Sequence, residues 1–333
     1  MYFFMGGSSY DRDVGSGSSS GSFYSGGTSS SGSKKALGRT HQDSDTSAYE
    51  RTIRSEKESP IVVALDVTGS NIEFARIVYD KAPMLFGQIE QQGYLKDFDI
   101  CFTGVGDAYS DSAPLQVTDF NLGKALDSEL KKLFLEGNGG GQRKETYELA
   151  AHFFANNCEM PNANLPFMFF IGDEAPYSQL RRDIAQEQLG VSLGEDMDTK
   201  DIFSGLYAKF NGNVFFLQNP YCGRESHGSG DTAEIKQEWI DYVSTKNAEK
   251  IIPIHEEKSI VDVILGTIAM VSRTRDLGSY STDLVARGQT DTRVANVKSS
   301  LSGLEGALVP YAGGVNLPVN KGGTARKSGG RKL

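Results

Sequence analysis

Two apolar runs, each ending in an aspartate, limit what this chain can become. Ile61-Val-Val-Ala-Leu65 stops at Asp66, and Phe167-Met-Phe-Phe-Ile171 stops at Gly172-Asp173. An unbroken apolar run with no polar alternation fits a strand buried on both faces, as in the middle of a parallel sheet. After the first run the period changes. Ile72, Ala75, Val78, Ala82, Leu85 and Ile89 recur at three- and four-residue spacing, so an amphipathic helix is expected up to about Gln92, with Pro83 as a point for a kink.

The alternation then repeats. Residues 98–105 read as a strand, 122–135 as a helix, and 146–155 as another helix after a glycine cluster. Beyond the second apolar run, 180–189 and 200–210 read as helices, 213–217 as a strand, 235–245 as a helix around Trp239, 250–254 as the last strand and 260–273 as a closing helix. Strands alternating with helices predict an α/β domain, doubly wound, with a mostly parallel central sheet and helices on both faces.

The remainder of the chain has a different texture. From Gly6 to Ser33 it is almost all Gly and Ser with Tyr10, Phe23 and Tyr24 scattered through it, too little apolar surface to repay ordering. Lys34 to Glu58 is polar and charged and reads as a linker, so the fold is expected to start at Pro60. The expected division is a disordered leader and linker over 1–58, a domain over 59–275, a helical extension over 276–312 and a basic flexible tail over 313–333. In that tail Lys321, Arg326, Lys327, Arg331 and Lys332 stand without any Asp or Glu.

With 38% hydrophobic and 23% charged residues, the middle of the chain has enough apolar material for a core. A net charge of −9 argues against a general affinity for nucleic acid, which needs clustered Lys and Arg. Cys101, Cys158 and Cys222 lie far apart without CxxC spacing, so they read as thiols and not as a zinc or disulfide framework. The apolar start at Met1–Met5 is too short for a signal-peptide core or a membrane span, and a cytoplasmic location is expected.

In doubly wound sheets the ligand site lies beyond the carboxyl ends of the strands, where the strand order reverses. Asp66, Thr68 and Ser70 follow the first apolar run at alternate positions, so a short loop can aim one carboxylate and two hydroxyls at one point. Asp173 brings a second carboxylate to the same rim. An oxygen-only set without His or Cys suits a hard cation, Mg²⁺ or Mn²⁺ in preference to zinc, with water in the remaining positions. The competing reading of Asp66 is a simple helix cap. Glu174 reads as a solvent-facing neighbour of Asp173. His152, His227 and His255 share no ligand spacing and read as surface or core residues. Tyr109 and Tyr177 flank the expected rim.

These residues also carry a family resemblance. Asp66-Val-Thr-Gly-Ser70 resembles the DxSxS signature of von Willebrand factor A domains, with Thr in place of the middle Ser, and Phe169-Phe-Ile-Gly-Asp173 resembles the strand and Asp that complete that family's metal-ion-dependent adhesion site. The resemblance runs from about Pro60 to Arg273. It implies one further ligand from a glycine-led loop before a helix; here that loop is Gly137-Asn-Gly-Gly-Gly-Gln-Arg-Lys-Glu-Thr146, and either Glu145 or Thr146 fits. Asp107, at the end of another strand, is placed to hydrogen-bond the metal's waters.

The resemblance implies a binding module: a divalent ion with one coordination position open, completed by an Asp or Glu side chain of a partner protein. It also implies work inside an intracellular multiprotein assembly, in some family members beside ring-forming ATPases. Two other classes compete. A haloacid-dehalogenase-like phosphohydrolase would use Asp66 as nucleophile, but its chemistry needs an acid two residues later, where Thr68 stands. A structural protein tethered through the Gly/Ser leader would leave the metal site incidental. No catalytic residue is assigned.

Overall fold

The computed structural model describes residues 41–136, 143–221 and 229–304. The leader, the basic tail, most of the glycine cluster, Cys222 and His227 lie outside them. The chain forms a mixed α/β structure around a six-stranded sheet: β1 (Ser59–Asp66), β2 (Phe98–Val105), β3 (Leu115–Val117), β4 (Phe167–Gly172), β5 (Val214–Gln218) and β6 (Ile251–Pro253), in the order β6-β5-β4-β1-β2-β3. All neighbours pair parallel except β3, which runs antiparallel to β2 at the edge.

Every residue of β1 and β4 is buried, as their apolar runs require, and alternate residues feed two cores. Ile61, Val63, Leu65, Phe167, Phe169 and Ile171 face one core, closed by α1 (Ile72–Gln92), α2 (Lys124–Leu130) and α7 (Ile260–Val271). Val62, Ala64, Met168 and Phe170 face the other, closed by α3 (Tyr147–Asn156), α4 (Arg182–Leu189), α5 (Thr199–Lys209) and α6 (Ser229–Val243). α1 runs through Pro83 and stops at Gly93, whose left-handed backbone (φ 66°) suits a residue without Cβ. α8 (Leu277–Ala286) and α9 (Asp291–Leu301) then pack on α7 through Tyr280, Leu284, Val297 and Leu301. No helix among the described residues is long and apolar enough to cross a membrane.

Three expectations are corrected. The helix expected over 122–135 is only α2, which Gly123 precedes at φ 56° and which ends at Leu130 with Lys131 as its cap, although Leu133 is still buried. β3 has no counterpart in the sequence reading, since three residues are too few to display a period. The stretch before Pro60 is not all linker: Ile53–Arg54 pairs parallel with Cys158–Glu159, Ala48 and Ile53 are buried, and the Arg51 guanidinium bonds the Asp45 and Val117 carbonyls and Asp119.

Candidate functional site

The strand order reverses between β1 and β4, so the crevice opens at their carboxyl ends, where Asp66 and Asp173 stand. Asp66 is fully buried. Its Oδ1 accepts from the Thr68 backbone N–H (2.9 Å) and hydroxyl (2.6 Å), and its Oδ2 from the Tyr147 hydroxyl (3.2 Å). The loop between β1 and α1 then reaches across the crevice: the Ser70 hydroxyl donates to Asp173 Oδ1 at 3.0 Å, closing a sequence gap of 103 residues. Four of the expected residues, Asp66, Thr68, Ser70 and Asp173, are thereby brought together.

The other expected residues divide. Thr146 precedes the first turn of α3; its hydroxyl donates to the Gly106 carbonyl (2.6 Å) and accepts from the Ala108 N–H (3.3 Å), tying α3 to the end of β2. Glu145 is buried and lies beside the next strand, because Lys144–Glu145 pairs parallel with Ala175–Pro176. Asp107 is buried, but its carboxylate accepts from the Tyr109 N–H (3.1 Å), the Ser110 hydroxyl (3.0 Å) and the Tyr177 hydroxyl (3.1 Å). These bonds hold its own loop and the Tyr109–Tyr177 ring pair, whose centroids are 4.6 Å apart.

Glu174 corrects the reading of a solvent-facing residue: it is 7% exposed, its backbone carbonyl held by the Trp239 indole N–H at 2.9 Å. His152 is buried and His255 exposed. Cys101 and Cys158 are free buried thiols, pushed up by burial.

Three residues escaped the sequence reading. The Asn71 amide donates to the Asp66 carbonyl (2.9 Å), and the Asn219 amide donates to Asn71 Oδ1 while the Asn219 N–H bonds the Gly172 carbonyl (2.9 Å), so β1, β4 and β5 are laced at their ends. Tyr147 is the third. A Cβ on Gly172 would lie 1.9 Å from the Tyr147 hydroxyl and 3.1 Å from Asp66 Oδ2, which explains the glycine before Asp173. Only the placement of Asn71 next to Ser70 hinted at any of this; the other contacts are long-range.

The electrostatics are one-sided. Burial pushes the Asp66 carboxyl up to about 6, against the pull of its hydrogen bonds from Thr68 and Tyr147. Burial, then Asp66 and Asp173, push Glu174 up to about 9, and burial followed by Asp66 and Glu174 holds Glu145 well above the usual carboxylate range. Among the described residues no three His, Cys, Asp or Glu side chains form a group able to hold a metal. A cation here would therefore rest on mixed carboxylate and hydroxyl donors, which suits a hard ion that keeps several waters.

No family model matches the chain, and no curated protein does. Among solved structures it is similar to proximal thread matrix protein 1 (PTMP1) from the mussel byssus, at 10% identity and a TM-score of 0.39, over 66% of this chain and 49% of that one. It is also similar to the pilus adhesin SpaC from Lactobacillus rhamnosus GG in its open conformation, at 12% identity and a TM-score of 0.45, over 68% of this chain and 33% of that one. The chain thus spans about half the length of the first and a third of the second.

Proposed function

We propose that this chain carries a doubly wound domain of the von Willebrand factor A type, which binds a partner protein through a divalent cation at the rim between β1 and β4. The observation that carries this reading is the convergence of Asp66, Thr68, Ser70 and Asp173, with each carboxylate hydrogen-bonded to one of the loop's hydroxyls. In such an arrangement the Thr68 and Ser70 hydroxyl oxygens face Mg²⁺ or Mn²⁺, and the two carboxylates hold those hydroxyls and the ion's waters. Of Glu145 and Thr146, we assign Thr146 as the remaining donor: its hydroxyl keeps one lone pair after bonding Gly106 and Ala108.

A coordination position left to water is then open to an Asp or Glu of the partner, a charge-assisted and directional bond whose selectivity comes from the loops around it. The phosphohydrolase reading is weaker, because Thr68 occupies the position that would have to exchange a proton and its hydroxyl donates to Asp66. The test is capture of binding partners on immobilised protein with Mg²⁺, with chelator, and with Asp66→Ala. Partners retained only by the native protein with metal support the proposal. Partners retained after both chelation and Asp66→Ala contradict it.

A further inference from the structure

Two carboxylates at this rim are left over. Glu145 and Glu174 are 2% and 7% exposed; their carboxyl groups bond one another, and in each the Oε2 oxygen has no hydrogen-bonding partner. The pairing of Lys144–Glu145 with Ala175–Pro176 brings Glu174, the residue just before that strand, alongside Glu145, and Trp239 anchors the backbone of Glu174. Among the described residues, the cations just before Glu145 in sequence are engaged elsewhere. The Lys144 ammonium bonds Glu238 and the Pro176 carbonyl, while the Arg143 guanidinium bonds Glu234 and the Asp231 carbonyl and lies over the Tyr221 ring. After burial, the largest influences on Glu145 are the charges of Asp66, Glu174, Asp111 and Asp107, all negative.

Carboxylates taken out of water are retained when paired or when they hold a metal. A single divalent ion between Asp66 and Asp173 leaves Glu145 and Glu174 only protons and each other to offset their charge. One or two carboxylates with waters completing the shell are a common way of holding Mg²⁺. We propose that the rim holds a second divalent cation, bound by Glu145 and Glu174 beside the first. The inference rests on the reading of the rim as a cation site, and extends it from one ion to a pair.

The test is equilibrium dialysis of the full chain against Mn²⁺, with bound metal counted per chain, on the native protein, Asp66→Ala, Glu174→Gln and Glu145→Gln/Glu174→Gln. Circular dichroism and the fluorescence of Trp239 report whether each variant is folded. The expected result is two equivalents for the native protein and one for each Gln variant, with Glu174→Gln keeping the test open if the double variant does not fold. One equivalent in the native protein, lost in Asp66→Ala and untouched by Glu174→Gln, overturns the second site and leaves the first. Two equivalents in the folded Gln variants overturn it as well. No binding at all removes both.

Discussion

Gly172 and Asp99 show how much single positions at the two ends of the sheet are asked to tolerate. At the carboxyl end, the near-contact between a Cβ on Gly172 and the Tyr147 hydroxyl means that Gly172→Ala must displace Tyr147 from Asp66. The expected loss is about 1–3 kcal/mol of stability in urea melts, the usual range for overpacking, together with weaker metal binding. At the opposite end, burial pushes the Asp99 carboxyl up to about 6 although the Ser55 hydroxyl, 2.8 Å from both of its oxygens, donates its one hydrogen to it. A carboxyl raised in the folded state binds its proton more tightly there than in the unfolded chain. Its favourable contribution is therefore present at low pH and is lost as pH rises from about 4 through about 6. Asp99→Asn, which cannot ionise, should gain on the native protein by about 2 kcal/mol between pH 4 and pH 7 in paired denaturation curves, since one unit is worth about 1.4 kcal/mol. A pH-independent difference would contradict this.

Single residues also mark where sequence reading ends. Asp66, Thr68, Ser70 and Asp173 were legible because an apolar strand followed by spaced oxygen groups is a local pattern. Glu174 was misread because its surroundings, α6 with Trp239 and the strand pair at Lys144–Glu145, come from distant parts of the chain that its neighbours in sequence do not reveal. Asn219 lies 148 residues from Asn71 and gains its role only when β5 aligns with β4.

Among the elements, β1, β4 and β5 were readable from their composition, whereas β3 and the Ile53–Arg54 pair were not. Their apolar residues are few and their partners distant in the chain. α2 shows that a three- to four-residue apolar spacing reports burial before it reports helix, since Leu133 stays in the core outside helical geometry. α8 and α9 are held by a buried ionic network. Arg293 bonds Glu256 through Nε (3.0 Å) and Nη2 (2.8 Å), the Lys258 carbonyl (3.0 Å) and Asp262 (3.3 Å), while Arg287 bonds the other oxygen of Asp262 at 2.7 Å. Breaking such a network from one side leaves a buried charge without its partner. Arg293→Ala should cost about 3 kcal/mol or more, read as a lowered urea midpoint, and an unchanged midpoint would mean that α9 is held by its apolar face alone.

Across the whole molecule, the alternation of strands and helices foretold a layered sheet, and the strand order then fixes where a ligand site can form. β1 sits between β2 and β4, so its loop and that of β4 part in opposite directions and open the crevice above Asp66 and Asp173. Glu145 and Glu174 are buried there beside Asp66, whose charge raises both, an arrangement that protons or metal ions balance. The most direct measurement is a calorimetric titration of Mg²⁺ and Mn²⁺ into chelator-treated protein, alongside Asp66→Ala and Asp173→Ala. Saturable binding in the native protein, abolished or severely weakened in both variants, is the predicted result. Absence of binding in the native protein, or binding equal in all three, would contradict a cation at this rim.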